Sequence, residues 1–253
     1  MLHSLSRIVA SAAVALSLAL CTAAGALAGS LGFGPPTLEL TARARTGTVS
    51  LINRDTDPVR LEIKVFRWAQ LLDGRMQLNP TDDAIVFPQL VTIPRNETRR
   101  LRVSLMVPPG EIEKTYRIQV TEIPAFSGTT RTPAGSIAML SQLRLPIFYA
   151  PLRAQIAGTI QGAGVHHGTL TFSVANTGTV HFETKHLTVV AFGLNGRVVS
   201  SNDLDGWYVL PGSRRDYRLP LSNCGDIRAM TIRADAGGHT EQTIDVPADA
   251  CRP

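Results

Sequence analysis

The sequence has few of the residues, and none of the common motifs, from which catalytic and metal sites are built. It contains 3 cysteines and 6 histidines in 253 residues, and it lacks the G-x-S-x-G, P-loop, H-E-x-x-H and C-x-x-C motifs. Four pairs of polar residues suit metal binding or acid–base catalysis by type, but none belongs to a full ligand pattern. These pairs are His166/His167, His181/His186, Asp82/Asp83 and Asp203/Asp205. We therefore expect that the chain is not an enzyme and needs no metal or cofactor.

Long apolar runs are also absent, except at the start of the chain. Arg7 precedes an apolar run over 8–20, and small residues follow it. This pattern predicts a secretory signal peptide over 1–28. A lipoprotein would need a small residue before Cys21, where the sequence has the bulky Leu20, and the run is shorter than the ~20 residues of a membrane span. We expect an exported protein that does not insert into the membrane.

Cleavage of the signal peptide would leave two cysteines, Cys224 and Cys251. An exported chain with two cysteines in one terminal region is expected to form a disulfide between them. A metal-binding thiol pair is the weaker alternative. Closing this loop would add about 3 kcal/mol by the chain-entropy model.

The charge of the chain is concentrated in its first half. Residues 29–150 carry 15 Lys or Arg against 11 Asp or Glu, whereas 151–253 carry 9 of each. No basic stripe alternates with aromatic residues, so nucleic-acid binding is not expected. The basic excess favours an acidic or carboxylate-bearing partner. The arginines of the first half are expected either to contact such a partner or, more often, to pair with local carboxylates such as Glu97 and Glu122. They include Arg99, Arg100, Arg102 and Arg117.

Apolar residues recur with the period of β-strands rather than that of helices. From Val59 to Val65, apolar side chains occupy the odd-numbered positions, and no helical stripe exceeds two turns. Asn195-Gly196 is the strongest hairpin signal in the chain. The pattern predicts an all-β protein of two tandem immunoglobulin-like sandwiches, over 29–150 and 151–253.

One segment, 137–149, is unusually long for a strand. One face carries Gln142 and Arg144, and the other is apolar apart from a serine. It is either a long core strand, at least in its second half, or an edge strand whose apolar row awaits a partner. Pro146 favours an edge, because proline cannot donate to a central ladder. The face that is apolar apart from the serine consists of Ile137, Met139, Ser141, Leu143, Leu145 and Ile147.

Five ordered motifs in the first half resemble the PapD-like periplasmic pilus chaperones, especially the archaic, spore-coat-related branch. Together they are specific, although each alone is weak. The second half is similar to the family only in length and β character. The motifs are 53–59, 65–70, 94–103, 113–124 and 144–149.

The resemblance implies a cleft between two domains set at an angle, and a donor strand that completes the unfinished sandwich of a pilus subunit. Strand addition satisfies both the unpaired backbone and the apolar groove of such a subunit. On this interpretation Ile137, Met139 and Leu143 enter the groove, and Ser141 fills it shallowly. The resemblance further implies delivery to an outer-membrane usher, and it leaves open whether the unloaded chaperone self-associates.

Family members use a basic pair in the cleft to hold the carboxylate at the C-terminus of the subunit. Here the aligned positions are Thr37 and Pro146, neither of which is basic. We predict that Arg144 replaces the pair, because a guanidinium binds a carboxylate through two hydrogen bonds. The alternative is that Arg144 is an ordinary solvated charge of an edge strand.

A second function remains open, namely a two-domain surface adhesin or structural component of an appendage. It does not account for the long strand with one apolar face.

Overall fold

The computed structural model describes residues 31–71, 74–124 and 140–252. The predicted signal peptide and two predicted donor residues, Ile137 and Met139, lie outside the described residues. Within those described ranges the chain is almost entirely β-structure, with two single-turn 3₁₀ helices at Leu194–Gly196 and Cys224–Asp226. No helix of the described part is long and apolar enough to cross a membrane.

The first domain is a sandwich of two sheets. One sheet has the strand order β1-β3-β8-β6, and the other has the order β2-β10-β9-β4-β5, with β7 also paired to β4. The strands are β1 (Leu31–Gly34), β2 (Leu38–Leu40), β3 (Thr46–Asn53), β4 (Val59–Gln70), β5 (Met76–Pro80), β6 (Ala84–Phe87), β7 (Leu90–Ile93), β8 (Thr98–Leu105), β9 (Lys114–Ile123) and β10 (Gln142–Tyr149).

Alternating side chains of these strands form the first core. Leu61 and Ile63 of β4 and Ile118 and Val120 of β9 are fully buried between the sheets. Tyr116 is also buried, and its hydroxyl donates a 2.9 Å hydrogen bond to Asp83. The period-two pattern thus turns one face of each strand towards the partner sheet.

The second domain has sheets β11-β12-β17 and β15-β14-β18-β19, with a short pair β13-β16. Its own apolar cluster is separate from the first. The predicted disulfide is present, since Cys224 is bonded to Cys251. The strands are β11 (Gly158–His166), β12 (Thr169–Asn176), β13 (Phe182–Glu183), β14 (Leu187–Phe192), β15 (Val198–Asp203), β16 (Tyr208–Val209), β17 (Arg214–Pro220), β18 (Ala229–Asp235) and β19 (His239–Asp245).

A third apolar cluster joins the two domains. Trp68 and Phe148 of the first domain pack with Leu210 of the second. Beside them, the side-chain amide of Gln70 donates to the carbonyl of Tyr208 and accepts from the backbone N–H of Leu210, at 3.0 and 3.1 Å. The outer face of the sheet that contains β10 therefore forms one wall of the interdomain cleft.

Candidate functional site

The two edges of β10 differ along its length. β9 pairs with the whole strand, from Gln142 to Tyr149, whereas β2 pairs only with Ile147–Tyr149. The second half is therefore a central strand, which is the core-strand alternative that the sequence allowed for it, because β2 pairs with it on the other side. From Gln142 to Leu145 only β9 pairs with the strand among the described residues, which agrees with the edge interpretation for this part of the segment. Pro146 marks the point where the open edge ends.

The apolar row of β10 continues into the first-domain core. Leu145 is 2% exposed, and Leu143 is half-buried against the end of that core. Ser141 precedes the strand, and its backbone bonds Glu122 twice: its N–H donates to the carboxylate at 3.0 Å, and its carbonyl accepts from the Glu122 N–H at 2.9 Å. Of the predicted donor residues, the structure thus places Ser141 and Leu143 where the open edge begins.

Arg144 lies on the opposite, outer face of β10 and is exposed. Its Nε donates to the side-chain oxygen of Gln119 at 3.1 Å, and its Nη2 donates to that of Gln142 at 2.9 Å. In the described part of the chain it has no carboxylate partner. These two amides hold the Arg144 guanidinium at the cleft wall beside the open edge.

Thr37 and Pro146 do come together in the fold. Thr37 directly precedes β2, and Leu38 of β2 is the register partner of Ile147. The two positions where the family carries its basic pair are therefore neighbours here, yet neither side chain bears a charge.

Arg117 is a second basic residue of the cleft wall, and it is one of the first-domain arginines for which the sequence left open a partner contact or a local ion pair. It lies on β9 opposite Pro146, is only 4% exposed, and has its guanidinium carbon 3.8 Å from the centroid of the Trp68 ring. Its Nη1 makes a long 3.4 Å contact with the carbonyl oxygen of Arg144. Its Nε and Nη2 are buried and have no hydrogen-bond partner among the described residues.

The burial of Arg117 is electrostatically costly. Desolvation lowers the pKa of Arg117 to about 10, an effect that Tyr208 opposes and the charge of Arg144 reinforces. The sequence offered two alternatives for Arg117, a partner contact or a local ion pair of the kind that Arg99 makes with Glu97 at 3.5 Å. No such partner is found for Arg117 in the described part of the chain. The alternation of β9 puts Arg117 on the outer face, but only the packing of the second domain shows that this face is buried.

A buried carboxylate fixes the second domain close to this wall. The Glu113 side chain is 3% exposed, and its Oε2 accepts from the backbone N–H and from Nδ1 of His181, at 2.9 and 2.8 Å. The His181 ring stacks on Phe148 with 3.4 Å between centroids. His181 thus serves the contact between the domains. Among the described residues no cluster of metal-ligating side chains occurs.

Comparisons with known proteins agree with this architecture. Residues 30–155 match the family model of the pili and flagellar-assembly chaperone, PapD N-terminal domain. A comparison with curated proteins finds no match.

Solved chaperone structures share the fold at low sequence identity. A chain of the CsuC–CsuE chaperone–tip adhesion subunit complex, from the archaic chaperone-usher Csu pili of Acinetobacter baumannii, has a TM-score of 0.55 at 17% identity, over 86% of this chain and 98% of that one. The CupB2 chaperone of Pseudomonas aeruginosa gives 0.52 at 16%, over 85% and 100%. A chain of the SafA pilin–SafB chaperone complex of Salmonella enterica gives 0.52 at 16%, over 87% and 97%.

The fold and the cleft define a two-domain, immunoglobulin-like protein of the chaperone class, as the sequence predicted. Residues 30–155 belong to the PapD-like pilus-assembly chaperones, which are a family of chaperones, and the described chain has the two-domain fold of solved chaperones of this kind.

Proposed function

We propose that this chaperone holds pilus subunits by donating 137–143 as a missing strand and then passes them to an outer-membrane usher. The observation that carries the proposal is the edge of β10 from Gln142 to Leu145, which no other strand of the described residues covers. This edge offers unpaired backbone groups, and Leu143 leads from it towards the first-domain core. A subunit that lacks a strand needs the same two things, backbone pairing and apolar side chains at alternate positions.

The register of the added strand is set, on this proposal, by a carboxylate of the subunit bound in the cleft. Arg144 supplies an exposed guanidinium beside the open edge, as the sequence suggested. Arg117 lies one strand away with two unpartnered nitrogens, so a modest side-chain movement would let it join the same carboxylate. Charge-assisted bonds to a carboxylate compensate the burial of a guanidinium better than stacking alone.

The proposed site of action is the periplasm. Export would follow from the predicted signal peptide over 1–28, and no catalytic step is required of the chain. The usher is the acceptor that the family implies for a loaded chaperone.

Co-expression with the proteins encoded by neighbouring genes tests strand donation. The tagged chain and an Ile137→Asp/Met139→Asp/Leu143→Asp variant are purified from the periplasm, and mass spectrometry identifies what accompanies each. We expect a small β-rich protein in equimolar amount with the wild type and its loss from the variant. The control is Leu194→Asp/Val198→Asp, which places charges on exposed apolar residues of the second domain.

Circular dichroism establishes that each variant is folded. If the folded wild type captures nothing, or if the folded triple variant keeps the same partner, strand donation is wrong. The adhesin or structural-component alternative would then take its place.

A further inference from the structure

The outer surface of the β1-β3-β8-β6 sheet is free of acidic residues. None of these four strands contains Asp or Glu, whereas β8 carries three arginines. One of them, Arg99, pairs with Glu97 at 3.5 Å. The other two, Arg100 and Arg102, are exposed and make no hydrogen bond or ion pair within the described ranges.

Arg100 and Arg102 stand side by side on this surface. They flank Leu101, which is fully buried, so both point away from the core. In an extended strand, residues two apart are about 7 Å from each other. Because β8 is an inner strand with β3 and β6 on its two sides, the spacing is held by the sheet rather than by a loop.

Exposed apolar side chains adjoin the arginines. Phe87 of β6 is the register partner of Arg102, and it is 74% exposed. Ile85, two residues earlier on the same face, is 48% exposed. On the other side of Arg102 the partner is Thr48 of β3, which is polar and uncharged. We call the surface formed by Thr48, Ile85, Phe87, Arg100 and Arg102 the basic face.

We propose that the basic face binds an extended acidic segment of a partner protein, with carboxylates at alternate residues and an apolar side chain placed on Phe87. Alternate residues of an extended segment repeat at the spacing of Arg100 and Arg102, so both guanidiniums are matched at once. The neighbouring aromatic ring supplies apolar area of the kind that marks interaction sites. The basic face lies on the sheet opposite the one that contains β10, so it is separate from the proposed subunit site.

Fluorescence anisotropy with the full chain tests the proposal. The probe is a short labelled peptide with Glu at alternate positions and Leu or Ser between them, and a second peptide has Gln in place of Glu. We expect the Glu peptide to bind, and Arg100→Glu/Arg102→Glu to weaken its affinity about tenfold or more. Phe87→Ser should weaken it less, and the affinity should fall as salt is raised.

Two matched variants separate the basic face from other causes. Arg218→Glu reverses an exposed charge on a strand of the second domain, and it should leave binding unchanged. Ile137→Asp/Met139→Asp/Leu143→Asp, which removes the proposed strand donor, should also leave it unchanged, so the two proposals fail independently. The proposal is overturned if the Glu and Gln peptides bind alike. It is also overturned if Arg218→Glu weakens binding of the Glu peptide as much as Arg100→Glu/Arg102→Glu does.

Discussion

The guanidinium of Arg117 lies over the ring of Trp68, 3.8 Å from its centroid, and two of its nitrogens find no hydrogen-bond partner in the part of the chain that the structure describes. Stacking on an aromatic ring offsets only part of the cost of burying a cation. The buried guanidinium of Arg117 therefore does not stabilise the fold, and a role in binding explains its position better.

Replacement of Arg117 by methionine should therefore separate stability from capture. We expect Arg117→Met to leave the free energy of unfolding unchanged or to raise it by about 1 kcal/mol, because an apolar chain of similar length carries no desolvation cost. The captured protein should be reduced in the co-expression experiment. Urea unfolding and co-purification measure the two effects, and Arg144→Ala is the companion variant for the exposed guanidinium.

The contribution of Arg117 to the free energy of unfolding depends on pH with a defined sign. The native pKa of Arg117, about 10, is below its ordinary value of 12.5, so the unfolded state binds more protons between these values and stability rises with pH there. Below about pH 10 the destabilisation is fully present. A large loss of stability in Arg117→Met at neutral pH would contradict this account.

Leu143 and Leu145 form a matched pair on one face of β10. Leu145 is fully buried, so Leu145→Ala should lower the free energy of unfolding by about 2–5 kcal/mol. Leu143 is half-buried, so Leu143→Ala should cost about 1 kcal/mol but should reduce capture of the co-expressed protein more strongly. Urea unfolding and co-purification, performed on both variants, measure the difference. Equal stability losses, or undiminished capture by Leu143→Ala, would go against the assigned roles.

Glu113 and His181 are expected to be coupled across the domain contact. His181→Ala removes both the ring stacked on Phe148 and one of the two bonds to the buried carboxylate, so it should cost about 2 kcal/mol. His181→Phe keeps a ring and removes only the bond. A double-mutant cycle with Glu113→Gln should give a coupling energy of about 1 kcal/mol by urea unfolding. Strict additivity would show that the pair does not act as a unit.

Glu39 should make the chain less stable as the pH rises. Burial raises the pKa of Glu39 above its ordinary 4.5, although the charge of His181 opposes the effect. The native state therefore binds more protons than the unfolded state between pH 4.5 and the raised pKa, and the free energy of unfolding falls as the pH rises through this window. Glu39→Gln should be more stable than the wild type at neutral pH, with a smaller difference in acid.

Urea unfolding over a pH series tests the predicted pH dependence of Glu39→Gln. Glu241 provides a control, because its pKa is shifted in the opposite direction. A hydrogen bond from Arg233 lowers the pKa of Glu241, so Glu241→Gln should be slightly less stable at neutral pH and the loss should shrink in acid. A stabilising effect of Glu39→Gln that grew towards acid pH would refute the assignment.

The Cys224–Cys251 bond should contribute about 3 kcal/mol through the loop that it closes. Cys224→Ala/Cys251→Ala should lose that amount in urea unfolding. Thiol titration of denatured Cys21→Ser protein should find no free thiol before reduction and two after it. Two free thiols in the untreated protein would disprove the bond.

Local chemistry in the sequence was enough to predict much of this protein. Period-two alternation predicted the strand from Val59 and, within the predicted segment 137–149, the strand Gln142–Tyr149, because burying one face of a strand requires that pattern. Asn195-Gly196 predicted the hairpin between β14 and β15, where Asn195 adopts a positive φ of 59°. The two cysteines predicted their own bond, since no other pairing remained after the signal peptide.

What the sequence alone did not reveal depends on contacts between distant segments. β2 is three residues long and has no pattern of its own, yet its pairing with Ile147–Tyr149 decides which half of β10 is an open edge. The burial of Arg117 likewise depends on the second domain, because outward-facing residues of a strand look the same in sequence whether water or another domain covers them. Alternation assigns a residue to a face of its sheet, and only the tertiary structure decides what lies against that face.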